Sequence, residues 1–169
     1  MSTVAFTRCG ARNMKKKTIV SILLVVLPVL VGLASAILTK DMMTEYGALE
    51  KPFLSPPTIV FPIAWTILYL LMGFASALIY TKEEYSEYRS IGLTLHCVQL
   101  VLNFFWSIIF FNLKQYLVAF VCLIIMWLVV FSMMSNYKKI SKTAFFLNVP
   151  YIVWLTFAGY LNLAVAIIN

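Results

Sequence analysis

The chain has 169 residues, of which 63% are hydrophobic and only 11% charged, and its formal net charge is +7. So few charged residues exclude a soluble globular protein, whose surface would need far more of them. The excess of positive charge does not indicate nucleic-acid binding, because all thirteen Lys and Arg residues lie outside the long apolar runs and no soluble basic face exists. The composition predicts a membrane protein that works in a lipid bilayer.

Five runs of 21 residues or more contain no Asp, Glu, Lys or Arg, and each is long enough to cross a bilayer as a helix of about 20 residues. The predicted fold is therefore all-α, an integral membrane bundle of five transmembrane helices over residues 18–169, after a basic tail at residues 1–17. The predicted helices cover residues 18–39, 59–80, 91–111, 116–136 and 144–168.

The first predicted helix follows a cluster of three lysines. Met14 before this cluster has the character of a natural start, so residues 1–13 are interpreted as a leader segment or an upstream start. The lysines, the apolar run and the small residues Ala34 to Ala36 also fit a cleaved secretory signal. The uncharged run continues to Thr39, however, which favours a retained first helix.

The loops differ in positive charge. Ten Lys and Arg residues fall in the N-terminal tail and in the 81–90 and 137–143 loops, whereas only Lys40, Lys51 and Lys114 fall on the other side. Because positively charged loops stay in the cytoplasm, this asymmetry predicts a cytoplasmic N-terminus and a C-terminus outside.

Four prolines lie before and within the second predicted helix. Ser55 followed by Pro56 suits a helix cap and a first-turn proline. Pro62 is expected deeper in the helix, where it would leave the Thr58 carbonyl without its partner and kink the chain. We interpret the segment as a stiff lid over a cavity; a simple turn between helices would explain Pro52 and Pro56 but not Pro62.

Three predicted helices each carry a polar and aromatic stripe at helical spacing. Such stripes must face protein or a cavity rather than lipid. A single stripe is usually explained by hydrogen bonds between helices, but three that converge beneath the proline-rich loop favour a lined cavity. The stripes comprise Trp65, Tyr69, Gly73 and Ser76 in the second helix, His96, Gln99, Asn103, Trp106 and Ser107 in the third, and Asn148, Tyr151, Trp154, Ala158 and Asn162 in the fifth.

Conventional catalysis and ion pumping are disfavoured by what the five runs contain. They hold no nucleophile–base pair, carboxylate pair or metal-ligand cluster, so no metal site is predicted. His96 is their only group that titrates near neutral pH, which argues against a proton-coupled pump. A haem-ligating role for His96 is disfavoured because it lies far from the convergence of the stripes. Chemistry on a bound pigment through indole side chains remains open.

The segments "KPFLSPP…VFPIAWTILYLLMG", "QLVLNFFWSIIFF" and "NVPYIVWLTFAGYLN" resemble the three signature segments of the TspO/MBR family, also called translocator proteins, peripheral-type benzodiazepine receptors or tryptophan-rich sensory proteins. The resemblance is to a bacterial-type member. It implies a five-helix bundle, often dimeric, whose pocket beneath the first loop binds porphyrins such as protoporphyrin IX, isoquinoline carboxamides, benzodiazepines and, in animals, cholesterol. It also implies, for some bacterial members, light-dependent breakdown of protoporphyrin.

The family's pocket residues match Trp65, Trp106, Trp154, Asn103 and Ala158 by position. The chain departs from the family's pattern before the second helix, where tryptophans are replaced by leucine and isoleucine and the Gly-Pro before the helix tryptophan is absent. The C-terminus also lacks the Lys or Arg of the cholesterol motif, so sterol binding by that route is not expected.

We therefore predict a membrane receptor or sensor that binds porphyrins and related flat hydrophobic ligands, with a transporter of tetrapyrroles or other lipophilic molecules as the alternative. No cofactor is required, and porphyrin is the expected ligand. Trp65 and Trp154 are the candidate catalytic residues for photo-oxidative porphyrin breakdown. The predicted ligand-binding residues are Tyr46, Pro56, Trp65, Tyr69, Gln99, Asn103, Trp106, Trp154 and Ala158.

Small residues four apart predict close helix approach in two places, Gly32 with Ala36 and Gly73 with Ala77. Packing within the bundle is the default explanation of both. Together with the family resemblance, they lead us to expect a homodimer that uses the first or third helix.

Overall fold

The computed structural model describes the backbone of residues 2–46, 50, 52–82 and 86–169, and the side chains of these residues except 2–13 and 41–46. Every regular element in this described part is helical, which confirms the all-α prediction. The helices are α1 (Ser2–Tyr46), α2 (Val60–Thr81), α3 (Glu87–Ser107) with a π-helical turn (Ile108–Asn112), α4 (Tyr116–Ile140), α5 (Lys142–Leu147) and α6 (Val149–Ile168).

Five stretches of these helices are long and apolar enough to cross a membrane, as the sequence predicts. Because backbone groups in a bilayer must be bonded internally, uninterrupted helices are the expected solution. The ends of the spans differ from the predicted ones, most of all at α1, which continues to Tyr46, and at the fifth span, which consists of α5 and α6. The spans are Met14–Lys40, Val60–Thr81, Glu87–Asn112, Tyr116–Ile140 and Lys142–Ile168.

The break between α5 and α6 follows from a proline in the first turn of α6. Pro150 has no N–H to donate, so it favours a new helix start rather than a helix interior. Asn148 caps the junction: its backbone N–H donates to the Phe145 carbonyl, and its side-chain amide donates to the Ala144 carbonyl at 2.9 Å. The Ala144 carbonyl, which does not receive the Asn148 backbone N–H, is thereby satisfied.

The start of α2 corrects the prediction for the proline-rich segment. The predicted cap at Ser55 is wrong, because α2 begins at Val60 and its N-cap residue is Ile59. Pro62 therefore lies in the first turn, where a missing N–H removes no helical bond. The Thr58 carbonyl that we expected to lose its partner accepts from the Phe61 N–H at 3.3 Å.

The helices pack in a defined order around one core. α1 packs chiefly on α2, α3 on α4, and α4 on α6, while α5 fills the space between α2 and α4. α1 approaches α2 closely at two glycines: a Cβ atom on Gly73 would touch the α1 backbone at Val25, and one on Gly32 would overlap the Tyr69 ring. The glycines of both small-residue pairs thus pack inside the bundle, between α1 and α2.

Candidate functional site

A cavity of about 420 Å³ lies at the end of the bundle where α1 ends and α2 begins. Ligand pockets in proteins are typically about 300–1,000 Å³, so its size suits a small molecule. Four parts of the chain line it: α1, the first turns of α2, the end of α3 with its π-helical turn, and α6. The lining residues are Val29, Gly32, Leu33, Ser35, Ala36, Thr39, Phe61, Pro62, Trp65, Thr66, Tyr69, Trp106, Ser107, Phe110, Phe111, Ala158, Leu161 and Asn162.

Aromatic rings form much of the cavity wall. Trp65 stacks on Tyr69 with a centroid distance of 5.5 Å, and Trp106 stacks on Phe110 at 5.4 Å. The two tryptophans lie 6.1 Å apart, centroid to centroid. Ala158 is 7% exposed and supplies a methyl group beside these rings. The wall thus offers wide apolar faces to a flat ligand.

Asn162 holds the Trp106 ring in place. The indole Nε1–H donates to the Asn162 Oδ1 at 3.1 Å, and the Asn162 Nδ2 donates to the Tyr116 carbonyl at 2.8 Å. Both polar ends of the amide are therefore engaged, and the Trp106 N–H is bonded to protein rather than directed at a ligand. This chain of bonds joins α3 to α6 and to the start of α4.

Tyr69 is fixed just as firmly on the α2 side of the cavity. Its hydroxyl donates to the Asn103 Oδ1 at 2.6 Å, and its ring lies against Gly32 of α1, where a larger residue would overlap it. Asn103 is 1% exposed and does not line the cavity. Asn103 therefore holds the Tyr69 side chain in place from the side away from the cavity.

Gln99 lies deeper in the bundle, outside the cavity surface. It is fully buried and accepts from the Tyr151 hydroxyl at 2.7 Å, while its Nε2 faces the Met72 sulfur at 3.3 Å. The Tyr151 ring touches the Trp65 ring, with centroids 6.2 Å apart. His96 lies one turn earlier in α3. It is also fully buried, and its Nε2 has no partner among the described residues. This layer closes the bundle beneath the cavity.

Trp154 stands behind the cavity wall instead of in it. Its ring meets that of Phe61, a lining residue, edge to face at a centroid distance of 6.0 Å. Its Nε1 is buried and has no hydrogen-bond partner in the described part of the chain.

The structure thus brings four of the predicted binding residues together on the cavity surface, and it places four others elsewhere. Pro56 is half-buried in the connection before α2, and Tyr46 lies outside the residues whose side chains are described. The residues on the cavity surface are Trp65, Tyr69, Trp106 and Ala158, and those outside it are Pro56, Gln99, Asn103 and Trp154.

Sequence reasoning missed the whole α1 wall. Six α1 residues line the cavity, from Val29 to Thr39, although the first run carries no polar stripe comparable to those of the other spans. The available signal was the pair Ser35 and Thr39, which are one turn apart and are both at most 5% exposed. The π-helical turn was also missed; it brings Phe110 and Phe111 to the cavity, and such turns occur often at functional sites.

Two hydrogen bonds tie the chain together near the open end of the cavity. The Asn112 Nδ2 donates to the Leu38 carbonyl of α1 at 3.2 Å, and the Asn169 Nδ2 donates to the Glu50 carbonyl at 3.2 Å. None of the described residues that line the cavity is charged, but Lys40, next to Thr39, is exposed at this end. A ligand with an acidic group would find an exposed lysine there.

Comparison with known proteins agrees with this architecture. The sequence matches the TspO/MBR family over residues 24–168. It is 34% identical to the tryptophan-rich protein TspO of Chlorobaculum tepidum over 92% of this chain and 99% of that protein. It is 36% identical to a tryptophan-rich sensory protein of Cereibacter sphaeroides, over 69% and 72% of the two chains. It is also 34% identical to the translocator protein of Ovis aries, over 69% and 70%. The chain is a member of the TspO/MBR family.

Proposed function

We propose that this protein is a membrane receptor or sensor that binds a porphyrin, or a related flat hydrophobic molecule, in the cavity between α1, α2, α3 and α6. The observation that carries the proposal is the pair of tryptophans on the cavity wall, Trp65 and Trp106, whose rings lie 6.1 Å apart. Indole rings stack well on an extended π-system, and the cavity is otherwise apolar. The relatives named as sensory and translocator proteins support the same class of role.

The charges near the cavity support one orientation of the ligand. A porphyrin carries its two carboxylates on one edge, and burying an unpaired carboxylate in an apolar site is costly. The uncharged lining would therefore hold the ring, with the acidic edge toward the open end near Lys40. In this orientation the ring meets the aromatic wall while the carboxylates stay in contact with water or a lysine.

Binding without passage is favoured over transport by the layer beneath the cavity. Tyr69 and Trp106 are bonded across to neighbouring helices, and Met72, Gln99 and Tyr151 below them are fully buried. A transported ligand would have to break this layer, whereas a sensed ligand would not.

The proposal is tested by titrating the purified protein in lipid nanodiscs with protoporphyrin IX in the dark, following quenching of tryptophan fluorescence. Trp127 is a matched control, because it is partly exposed, donates to Thr156 at 3.0 Å, and does not line the cavity. We expect Trp65→Ala to weaken binding about tenfold or more, since stacking of a planar ring on an aromatic side chain contributes about 1–3 kcal/mol. Trp127→Ala should leave the affinity unchanged. Equal effects of both variants would contradict the proposal.

Light-dependent breakdown of the porphyrin is the proposed secondary activity, with indoles as the easily oxidised groups. Trp65 lines the cavity, and Trp154 is separated from it by the Phe61 ring. Replacement of either by Phe keeps most of the apolar ring area and removes the indole. We expect dark binding to survive and the light-dependent loss of pigment to fall. Unchanged loss in both single variants and in the double variant would leave a binding protein without this activity.

A further inference from the structure

The cavity's polar groups differ in whether they are already bonded. Tyr69 and Trp106 donate to Asn103 and Asn162, as described above. Three hydroxyls on the lining donate to the carbonyl four residues earlier in their own helix, which is the usual way for a helix to satisfy them. These are Thr39 to Ser35 at 2.9 Å, Thr66 to Pro62 at 2.8 Å, and Ser107 to Asn103 at 3.2 Å.

Ser35 is the exception among these hydroxyls. Its side chain lines the cavity, the residue is 5% exposed, and its Oγ is buried without a hydrogen-bond partner among the described residues. It does not donate to the Val31 carbonyl, although its neighbour Thr39 makes the equivalent bond one turn further along. A buried hydroxyl without a partner is destabilising, so such groups in proteins normally find a partner.

We propose that Ser35 is a specificity-determining residue that donates a hydrogen bond to an acceptor oxygen on the bound ligand, such as the carbonyl of an ester or amide. The inference rests on the proposed function, because it concerns a ligand in the same cavity. Among the described lining residues, Ser35 carries the one buried side-chain donor that has no hydrogen-bond partner in the protein. The ligand group that meets Ser35 is neutral, because none of the described lining residues is charged.

A hydrogen bond from Ser35 restricts the chemistry of the ligand more than the aromatic wall does. A flat hydrocarbon ring would stack on Trp65 and Trp106 but would leave the Ser35 hydroxyl unbonded. A ring with a neutral carbonyl on the edge that faces α1 would satisfy it. The cavity therefore distinguishes between two flat ligands of similar size that differ in this one acceptor.

Two porphyrins provide the test: protoporphyrin IX dimethyl ester, which carries neutral ester carbonyls, and etioporphyrin, which carries only alkyl groups. Both are titrated into the full-length protein in nanodiscs, as wild type and as Ser35→Ala. We expect the variant to bind the ester roughly five- to tenfold more weakly, the effect of one lost hydrogen bond, and to bind etioporphyrin unchanged. Ser21→Ala is the matched control in the same helix, because its hydroxyl donates to the Lys17 carbonyl at 2.8 Å and the residue does not line the cavity.

The titrations distinguish a failure of the Ser35 hydrogen bond from a failure of the proposed binding site. Suppose that the wild type binds both porphyrins, and that Ser35→Ala lowers the affinity for both equally or changes neither affinity. The hydrogen bond from Ser35 to the ligand is then refuted, while the cavity remains the binding site. If the wild type binds neither, the proposed function fails together with this inference. Thermal unfolding without ligand is an independent measurement: Ser35→Ala should leave the melting temperature unchanged or raise it. A lower melting temperature would mean that the hydroxyl has a partner in the protein, which would overturn the inference.

Discussion

Gly73→Ala should destabilise the protein by forcing α1 away from α2. A Cβ atom at position 73 would lie 2.8 Å from the Val25 Cα and 3.0 Å from the Leu24 and Val25 carbonyl oxygens. All three are backbone atoms, so no side-chain rotation can relieve the contact. Pro28 lies inside α1 and has no N–H, so the Leu24 carbonyl lacks its usual helical partner.

Gly159→Ala is the matched control, since the same change at this position is accommodated. Its Cβ would lie 3.4 Å from the Leu123 Cδ2 and 4.0 Å from the Phe120 Cε2, which is ordinary van der Waals contact. Alanine is favoured over glycine in a helix by up to about 1 kcal/mol. We therefore expect Gly159→Ala to raise the free energy of unfolding by about 0.5–1 kcal/mol.

At Gly73 the same gain is outweighed by overpacking, which typically costs about 1–3 kcal/mol. The expected net effect is a loss of up to about 2 kcal/mol, or roughly 4–8 °C in melting temperature if about 1 kcal/mol corresponds to 2–4 °C at this chain length. Thermal unfolding in nanodiscs, followed by tryptophan fluorescence, measures both variants. Because α1 forms one cavity wall, Gly73→Ala should also weaken porphyrin binding. Equal melting temperatures for the two variants would refute the close approach of α1 and α2.

Two further substitutions test the bonds that hold the cavity wall. Asn162→Leu should lower the free energy of unfolding by about 1–3 kcal/mol, because it leaves the Trp106 N–H unbonded and removes the bond to the Tyr116 carbonyl. Weaker porphyrin binding should accompany it. Tyr151→Phe keeps the ring against Trp65 but removes the donor to Gln99, so a loss of about 1–2 kcal/mol is expected, measured by thermal unfolding against Tyr88→Phe at an exposed position. A neutral result for Asn162→Leu or Tyr151→Phe would mean that the hydrogen bond it removes is absent.

The transmembrane spans could be predicted from the sequence because a bilayer imposes a minimum length and excludes charge. The three polar stripes were also predictable, since helical periodicity shows which residues share a face. Periodicity does not show whether a residue on that face reaches a cavity or bonds a neighbouring helix. Asn103 and Trp106 lie about one turn apart on the same face of α3. Trp106 nevertheless lines the cavity, whereas Asn103 lies behind Tyr69.

The contribution of α1 could not be predicted for a related reason. Its span is mostly exposed, and its cavity face consists of small and apolar residues such as Gly32 and Ala36. In a membrane helix these residues are equally suited to face lipid, a neighbouring helix or a ligand. Only the packing of α1 on α2 determines which of these they face, and that depends on the space left by Gly73 on the other helix.

Ala158→Leu tests whether the space beside Ala158 holds a ligand. If the position is a cavity wall, the larger side chain enters open space, so the ligand-free protein should unfold at the wild-type temperature while protoporphyrin IX binds at least tenfold more weakly. Ala119→Leu is the control for a packed position, because Ala119 is fully buried in α4 and overpacking there should cost about 1–3 kcal/mol. We expect unchanged stability and lost affinity for Ala158→Leu. Lost stability with retained affinity would contradict this expectation and would place Ala158 in a packed helix interface.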